Sequence, residues 1–118
     1  MSTRLTDQAS LLRIYVGERD KYKGKPLFEW LVLKAKEAGI AGATVLRSPL
    51  GYGHSSQVHN ATILRLSTDL PMIVEIIDDE EKLRAFVNDI RPAVKGTLVT
   101  IEKLTIIPTG QWEEGDQH

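Results

Sequence analysis

Cysteine is absent from the 118 residues, which excludes disulfides, thiolate nucleophiles and cysteine metal sites. Aromatic residues make up only 6% of the chain, so few rings are available to stack on bases. Nowhere do about 18 apolar residues run together, as a membrane-spanning helix requires. The opening Met1-Ser2-Thr3-Arg4-Leu5-Thr6-Asp7 lacks the apolar core of a signal peptide, and a cytoplasmic protein is expected. An excess of charge of either sign is also lacking. Lys and Arg number 15 against 16 Asp and Glu, leaving a formal net charge of -1 and no global field to recruit nucleic acid or an anionic membrane. A length of 118 residues with 42% hydrophobic and 26% charged residues fits one ordinary domain and leaves no room for a second.

The apolar residues fall into two periods. Leu12, Ile14 and Val16 alternate with Leu11, Arg13 and Tyr15 up to Gly17, which predicts a first strand over 11–16. The polar run from Glu18 to Lys25 then leads to Pro26, a favoured first helical residue. Leu27, Phe28, Leu31, Val32, Ala35 and Ala38 follow at helical spacing until Gly39 stops the helix. Ala43 to Arg47 reads as a second strand, and Pro49 marks its end as an edge or a distortion. Thr62 to Leu66 could form a returning arm, and the β-branched run Met72 to Ile77 is a third strand. Asp78, with Glu81 three residues on, resembles a capping box before a second helix whose buried stripe is Leu83, Phe86, Val87 and Ile90, with Pro92 forbidding continuation. Leu98 to Ile101 begins a fourth strand, and the change of apolar phase at Glu102-Lys103 predicts a bulge or a second short strand there.

The order βαββαβ with right-handed crossovers gives an α+β, ferredoxin-like domain: a four-stranded antiparallel sheet with two helices on one face. The domain is placed at 11–107, between an N-terminal extension, 1–10, and a tail, 108–118, in which Trp112 could dock. The other sheet face carries Leu11, Tyr15, Leu46, Ile73 and Ile77, or their neighbours if the register is displaced by one. Leaving several of these in water forfeits several kcal/mol at about 25 cal/mol per Å2, so self-association or a cover from the long loop is expected.

That loop is where chemistry is sought. Between the second and third strands about 20 residues of mostly polar chain stand where a hairpin needs only about two to five. It opens with Leu50-Gly51-Tyr52-Gly53-His54, two glycines around a ring that let a ligand approach backbone N–H groups. His54 and His59 could contribute to a nitrogen and oxygen metal site with Asp69 or His118, although no third ligand is fixed by spacing. Ser55 and Ser56 lack an elbow motif or an oxyanion glycine pattern, so an enzyme is not expected. Gly51-Tyr52-Gly53 echoes the core of RNA recognition modules. Leu50 replaces their leading basic residue, however, and His54 their stacking aromatic, so nucleic acid is not the expected partner. Lys95-Gly96, ahead of the fourth strand, puts a cation and a free N–H in a turn near a sheet end.

Taken together, Gly24-Lys25-Pro26-Leu27, Gly51-Tyr52-Gly53-His54 with His59, Leu66-Ser67-Thr68-Asp69-Leu70-Pro71 and Ile73-Val74-Glu75-Ile76-Ile77-Asp78 resemble the PII-like proteins filed as the DUF190 family. The resemblance runs from about Leu11 to Ile107 and extends, more distantly, to the PII signalling proteins. It implies a homotrimer and an adenine nucleotide bound as effector in clefts between subunits. It also implies a loop that changes conformation to engage a partner, for which members of the family suggest a membrane channel or transporter. Carried over by position, phosphate binding falls to Gly51, Tyr52, Gly53, His54, Lys95 and Gly96. His54 stands where PII proteins usually have arginine, the Lys95-Gly96 turn is shorter than theirs, and their paired C-terminal arginines are missing. AMP or ADP is therefore expected over ATP. An oligomer binding divalent metal through His54 and His59 is the alternative.

Overall fold

The computed structural model describes residues 9–48, 70–107 and 109–110. Strand β1 (Ala9–Gly17) is followed by a small ribbon of β2 (Lys21–Tyr22) and β3 (Lys25–Pro26), helix α1 (Leu27–Glu37) and strand β4 (Gly42–Arg47). After the stretch 49–69 come β5 (Pro71–Asp79), α2 (Glu80–Ile90) and β6 (Leu98–Lys103). The main sheet has the order β4-β5-β1-β6 and every pairing is antiparallel, the expected ferredoxin-like arrangement.

Alternation along the two central strands decides what is buried. Leu12, Ile14 and Val16 of β1 and Met72, Val74 and Ile76 of β5 point to one face. There they form one core with Leu27, Leu31 and Ala35 of α1 and Leu83, Phe86 and Ile90 of α2. Both helices therefore pack on the same face, α1 over β4 and β5, α2 over β5 and β1. α1 starts directly after Pro26, which is its N-cap rather than its first helical residue. It ends in a Schellman motif: Gly39 N–H donates to Lys36 O and Ile40 N–H to Ala35 O, satisfying carbonyls that a helix end otherwise leaves open.

Four further details differ from the sequence reading. β1 and β5 are longer than the expected 11–16 and 72–77, because pairing with each other satisfies their terminal backbone groups as far as Ala9↔Asp79 and Gly17↔Pro71. The polar stretch after β1 contains the β2–β3 ribbon. Its turn places Lys23 and Gly24 at φ 53° and 82°, the paired positive values of a tight hairpin, and Tyr22 meets the Trp30 ring edge-on at 4.7 Å. Asp78 does not cap α2, since the N-cap is Asp79 with no side-chain cap hydrogen bond. Buried Asp78 instead accepts Ala41 N–H at 2.9 Å and Asp79 N–H at 2.6 Å, tying the turn before β4 to the start of α2. Finally, β6 runs in unbroken register to Ser10↔Lys103, and among the described residues neither a bulge nor a second strand follows. Glu102 is accommodated because Arg13 on the next strand donates to it at 2.9 Å.

The face away from the helices carries the set named from the sequence. One row crosses the whole sheet, Leu46 beside Ile73 beside Tyr15 beside Leu98. Leu46 is 44% and Leu98 57% exposed. The adjacent row is polar, with Arg13 bridging Glu75 at 3.1 Å and Glu102 at 2.9 Å, and beyond it lie Leu11 and Ile77.

Candidate functional site

The residues that flank 49–69 are tied to one another and to β1. Ser48 N–H donates to Pro71 O at 3.0 Å and Glu18 N–H to Leu70 O at 2.9 Å, so the stretch 49–69 leaves and re-enters the sheet through neighbouring strands at one end. The predicted site residues Gly51, Tyr52, Gly53 and His54, and His59 of the metal alternative, lie outside the described residues. Among the described residues no cluster of three or more His, Asp or Glu could hold a metal ion.

Lys95 and Gly96 belong to the turn that leads from α2 into β6. Lys95 is exposed, and Gly96 has φ 79° with open space where a side chain would stand. That left-handed value favours glycine, and it leaves the backbone open to an approaching ligand. The turn is pinned beneath by buried Val94, whose carbonyl accepts Thr97 N–H at 2.9 Å.

Strand pairing places this turn and the loop base at the same end of the sheet but at opposite edges. Reading across the rows, Arg47 of β4 pairs with Met72, Met72 with Val16, and the chain entering β6 lies beyond, since Leu98 pairs with Tyr15. Three strand spacings of roughly 4.8 Å separate the two edges by about 14 Å. In one copy of the chain the end of β4 and the start of β6 therefore stand further apart than a single phosphate reaches. Between them, the sheet end carries charge that the sequence reading did not single out. Arg47 Nη2 donates to Glu18 Oε2, and this hydrogen bond, with its charge, holds the Glu18 carboxyl below the usual carboxylate range against the opposing effect of desolvation. Half-buried Asp20 accepts Gly17 N–H at 2.8 Å. The signal in the sequence was only that Arg47 and Glu18 flank strand ends; their meeting across 29 positions is a product of the fold.

A groove of about 420 Å3 also runs between α2 and β6, floored by Leu12, Val87, Val99 and Ile101. It exists because α1 and α2 cover β4, β5 and β1 and leave the helix-side face of edge strand β6 partly open. The arginines at its rim are engaged within α2, Arg84 by Glu80 at 2.9 Å and Arg91 by the Asn88 side chain at 3.0 Å.

Among the described residues no helix is long and apolar enough to cross a membrane. Among solved structures, the chain is similar to CPII of Thiomonas intermedia K12. The form described as bound to ADP, AMP and acetate matches with a TM-score of 0.60 at 16% identity, over 85% of this chain and 89% of that one. The apo form, described as a nitrogen regulatory PII-like protein, matches with a TM-score of 0.56 at 15% identity, over 83% and 90%. At such identities these likenesses establish the fold. Sequence relatives are nearer. A UPF0166 protein of Aquifex aeolicus is 40% identical over 97 residues, covering 82% of this chain and 91% of its own length. Another, from Methanocaldococcus jannaschii, is 35% identical over 88 residues, covering 75% and 81%. The profile of the DUF190 family, described as uncharacterized ACR, matches residues 9–106, and the chain, which shares the fold of CPII, belongs to the DUF190 family.

Proposed function

We propose that this protein is a PII-like regulator that binds an adenine nucleotide between subunits, AMP or ADP in preference to ATP, and signals to a partner through the loop between β4 and β5. The observation that carries the reading is the placement of the loop base and the Lys95-Gly96 turn at opposite edges of one sheet end. A neighbouring copy can bring its turn to this copy's loop base, at the opposite edge of the sheet from its own turn. In such a cleft Gly51, Tyr52, Gly53 and His54 from one subunit and Lys95 and Gly96 from the next surround the phosphate. Backbone N–H groups of glycine turns and one lysine suit a small phosphate charge. The fold shared with CPII, described as bound to ADP and AMP, supports an adenine nucleotide as the effector. The role is regulatory and non-enzymatic, and the partner class is a membrane channel or transporter.

Isothermal titration calorimetry with AMP, ADP and ATP tests the proposal. Saturable binding of AMP or ADP by the wild type is expected, weakened in Lys95→Ala and blocked in Gly53→Val, where a branched side chain obstructs backbone approach. Absence of binding to the wild type, or equal binding to all three proteins, overturns it.

A further inference from the structure

We infer that the β2–β3 ribbon is a docking finger for an anionic membrane surface, with Lys21, Lys23 and Lys25 seated among the phosphates of the lipid headgroups. The inference stands on the ribbon itself and is independent of the nucleotide reading.

The base of the ribbon is fastened and its tip is open. Gly17 N–H donates to the Asp20 carboxylate at 2.8 Å, Asp20 N–H to Gly17 O at 3.1 Å and Leu27 N–H to Asp20 O at 2.7 Å, which ties the base to the end of β1 and the start of α1. Tyr22 meets Trp30 of α1 edge-on and braces one side. The tip is Lys23-Gly24, with open space where a side chain on Gly24 would stand. Lys23 holds a left-handed φ of 53°, where Asn or Gly is the locally favoured choice, so a cation occupies the tip against backbone preference. Strand pairing places the other two lysines. Lys25 lies opposite Tyr22 and shares its face, whereas Lys21 lies opposite Pro26 on the other face. All three are exposed, and none has a carboxylate partner among the described residues.

Charge is distributed to match. From Gly17 to Pro26 the four cations Arg19, Lys21, Lys23 and Lys25 stand against Glu18 and Asp20, a balance of +2, while the rest of the chain has 11 cations and 14 carboxylates, a balance of -3. Both ribbon carboxylates are engaged at the base, Glu18 by Arg47 and Asp20 by Gly17 N–H. Adding Arg47 and the first-turn Glu29 of α1 leaves the balance at +2, and the stretch 49–69 adds Arg65 against Asp69, a sum of zero. A nearly neutral chain is thus divided, and a negative surface attracts the ribbon while repelling the remainder. Ammonium groups on both faces and at the tip suit a medium that surrounds the finger. A headgroup layer does so, whereas a nucleic acid duplex or an acidic peptide meets one side. The lysine stems and the half-buried Tyr22 and Trp30 rings, apolar in body and polar at the end, suit the same depth. Docking turns the sheet end from which 49–69 departs toward the membrane.

Co-sedimentation of the full chain with vesicles tests the inference. Vesicles of equal parts phosphatidylglycerol and phosphatidylcholine are compared with pure phosphatidylcholine, at low and at raised salt. Wild type is expected to bind the anionic vesicles alone, and less as salt screens the charges. Each lysine near such a surface contributes about fivefold in partitioning, so the triple variant Lys21→Gln, Lys23→Gln, Lys25→Gln should lose about 100-fold. A control triple variant, Lys36→Gln, Arg84→Gln, Lys103→Gln, removes the same charge from exposed positions outside the ribbon and should retain most of the binding. Circular dichroism establishes that both variants fold. Wild type that does not distinguish the two vesicles, a folded ribbon variant that binds as wild type does, or equal losses in the two triple variants overturns the inference. Binding of wild type to duplex DNA and not to the anionic vesicles overturns it as well.

Discussion

At the scale of single residues, the informative positions are those whose partners are far away in the chain. Glu18 is held charged chiefly by its hydrogen bond from Arg47, which keeps its folded-state pKa below that of the unfolded chain. A carboxyl shifted in that direction stabilises the fold above its unfolded pKa, and the contribution disappears as pH falls through the lower, folded value. Wild type is therefore expected to lose its advantage over Arg47→Gln as pH drops below the ordinary glutamate range. Urea denaturation of both proteins between pH 7 and pH 3 measures this, and a gap independent of pH would contradict the pairing. Asp78 is a second such residue. It is 6% exposed and accepts two backbone N–H groups, from Ala41 and Asp79. Asp78→Ala leaves both donors without that acceptor and is expected to cost about 1 to 3 kcal/mol in chemical denaturation. Asp78→Asn, which keeps one carbonyl oxygen, should cost less. Lys95→Ala should weaken nucleotide binding by roughly 1 to 3 kcal/mol, the range for a lost charge-assisted hydrogen bond. It should leave the melting temperature unchanged, because Lys95 is exposed.

At the scale of elements, the helices were the most legible part, because their burial repeats every three or four residues and needs no partner to be seen. Leu27, Leu31 and Ala35, and Leu83, Phe86 and Ile90, are the buried stripes that the spacing indicated. Leu31 is fully buried under the sheet, so Leu31→Ala should destabilise the domain by about 2 to 5 kcal/mol without altering its circular dichroism at 25 °C. A loss under 1 kcal/mol would mean that α1 is not packed as described. Strand existence was legible from alternation, and strand length less so, since β1 and β5 extend each other by pairing rather than by any local signal. The β2–β3 ribbon escaped because two-residue strands have no period. Lys23, a non-glycine residue at φ 53°, hides the turn that an Asn-Gly pair would have announced. The phase change at Glu102 misled for a related reason: a charged residue in an apolar rhythm reads as a break until Arg13 appears beside it. Of the candidate site, the Lys95-Gly96 turn could be read from the sequence, while Gly51 to His54 lie outside the described residues. The Glu18–Arg47 pair could not, because only the antiparallel packing of β4, β5 and β1 brings those residues together.

At the scale of the whole molecule, two helices cover one face of a four-stranded sheet among the described residues, and the row Leu46, Ile73, Tyr15 and Leu98 lies on the other. A neighbouring copy laid against this row would remove it from water and, by bringing edge β6 of one copy near edge β4 of the next, assemble the cleft proposed for the nucleotide. The polar row beside it, Arg13 with Glu75 and Glu102, gives such packing a preferred register, because displacing a subunit would press apolar side chains onto paired charges. Burial of the apolar row and formation of the ligand site are then one event, and a single substitution should abolish both. Ile73 lies at the centre of the row on a central strand, and its side chain points away from the core. Ile73→Lys is expected to fold, because the core packs against the opposite face, yet to be monomeric where the wild type is expected to be a trimer of the 13.2 kDa chain, as read by light scattering at micromolar concentration. The same monomers should show no nucleotide binding in calorimetry. A wild type that is itself monomeric, or an Ile73→Lys monomer that binds nucleotide as the wild type does, would show that the two edges do not need each other and that the site lies within one chain.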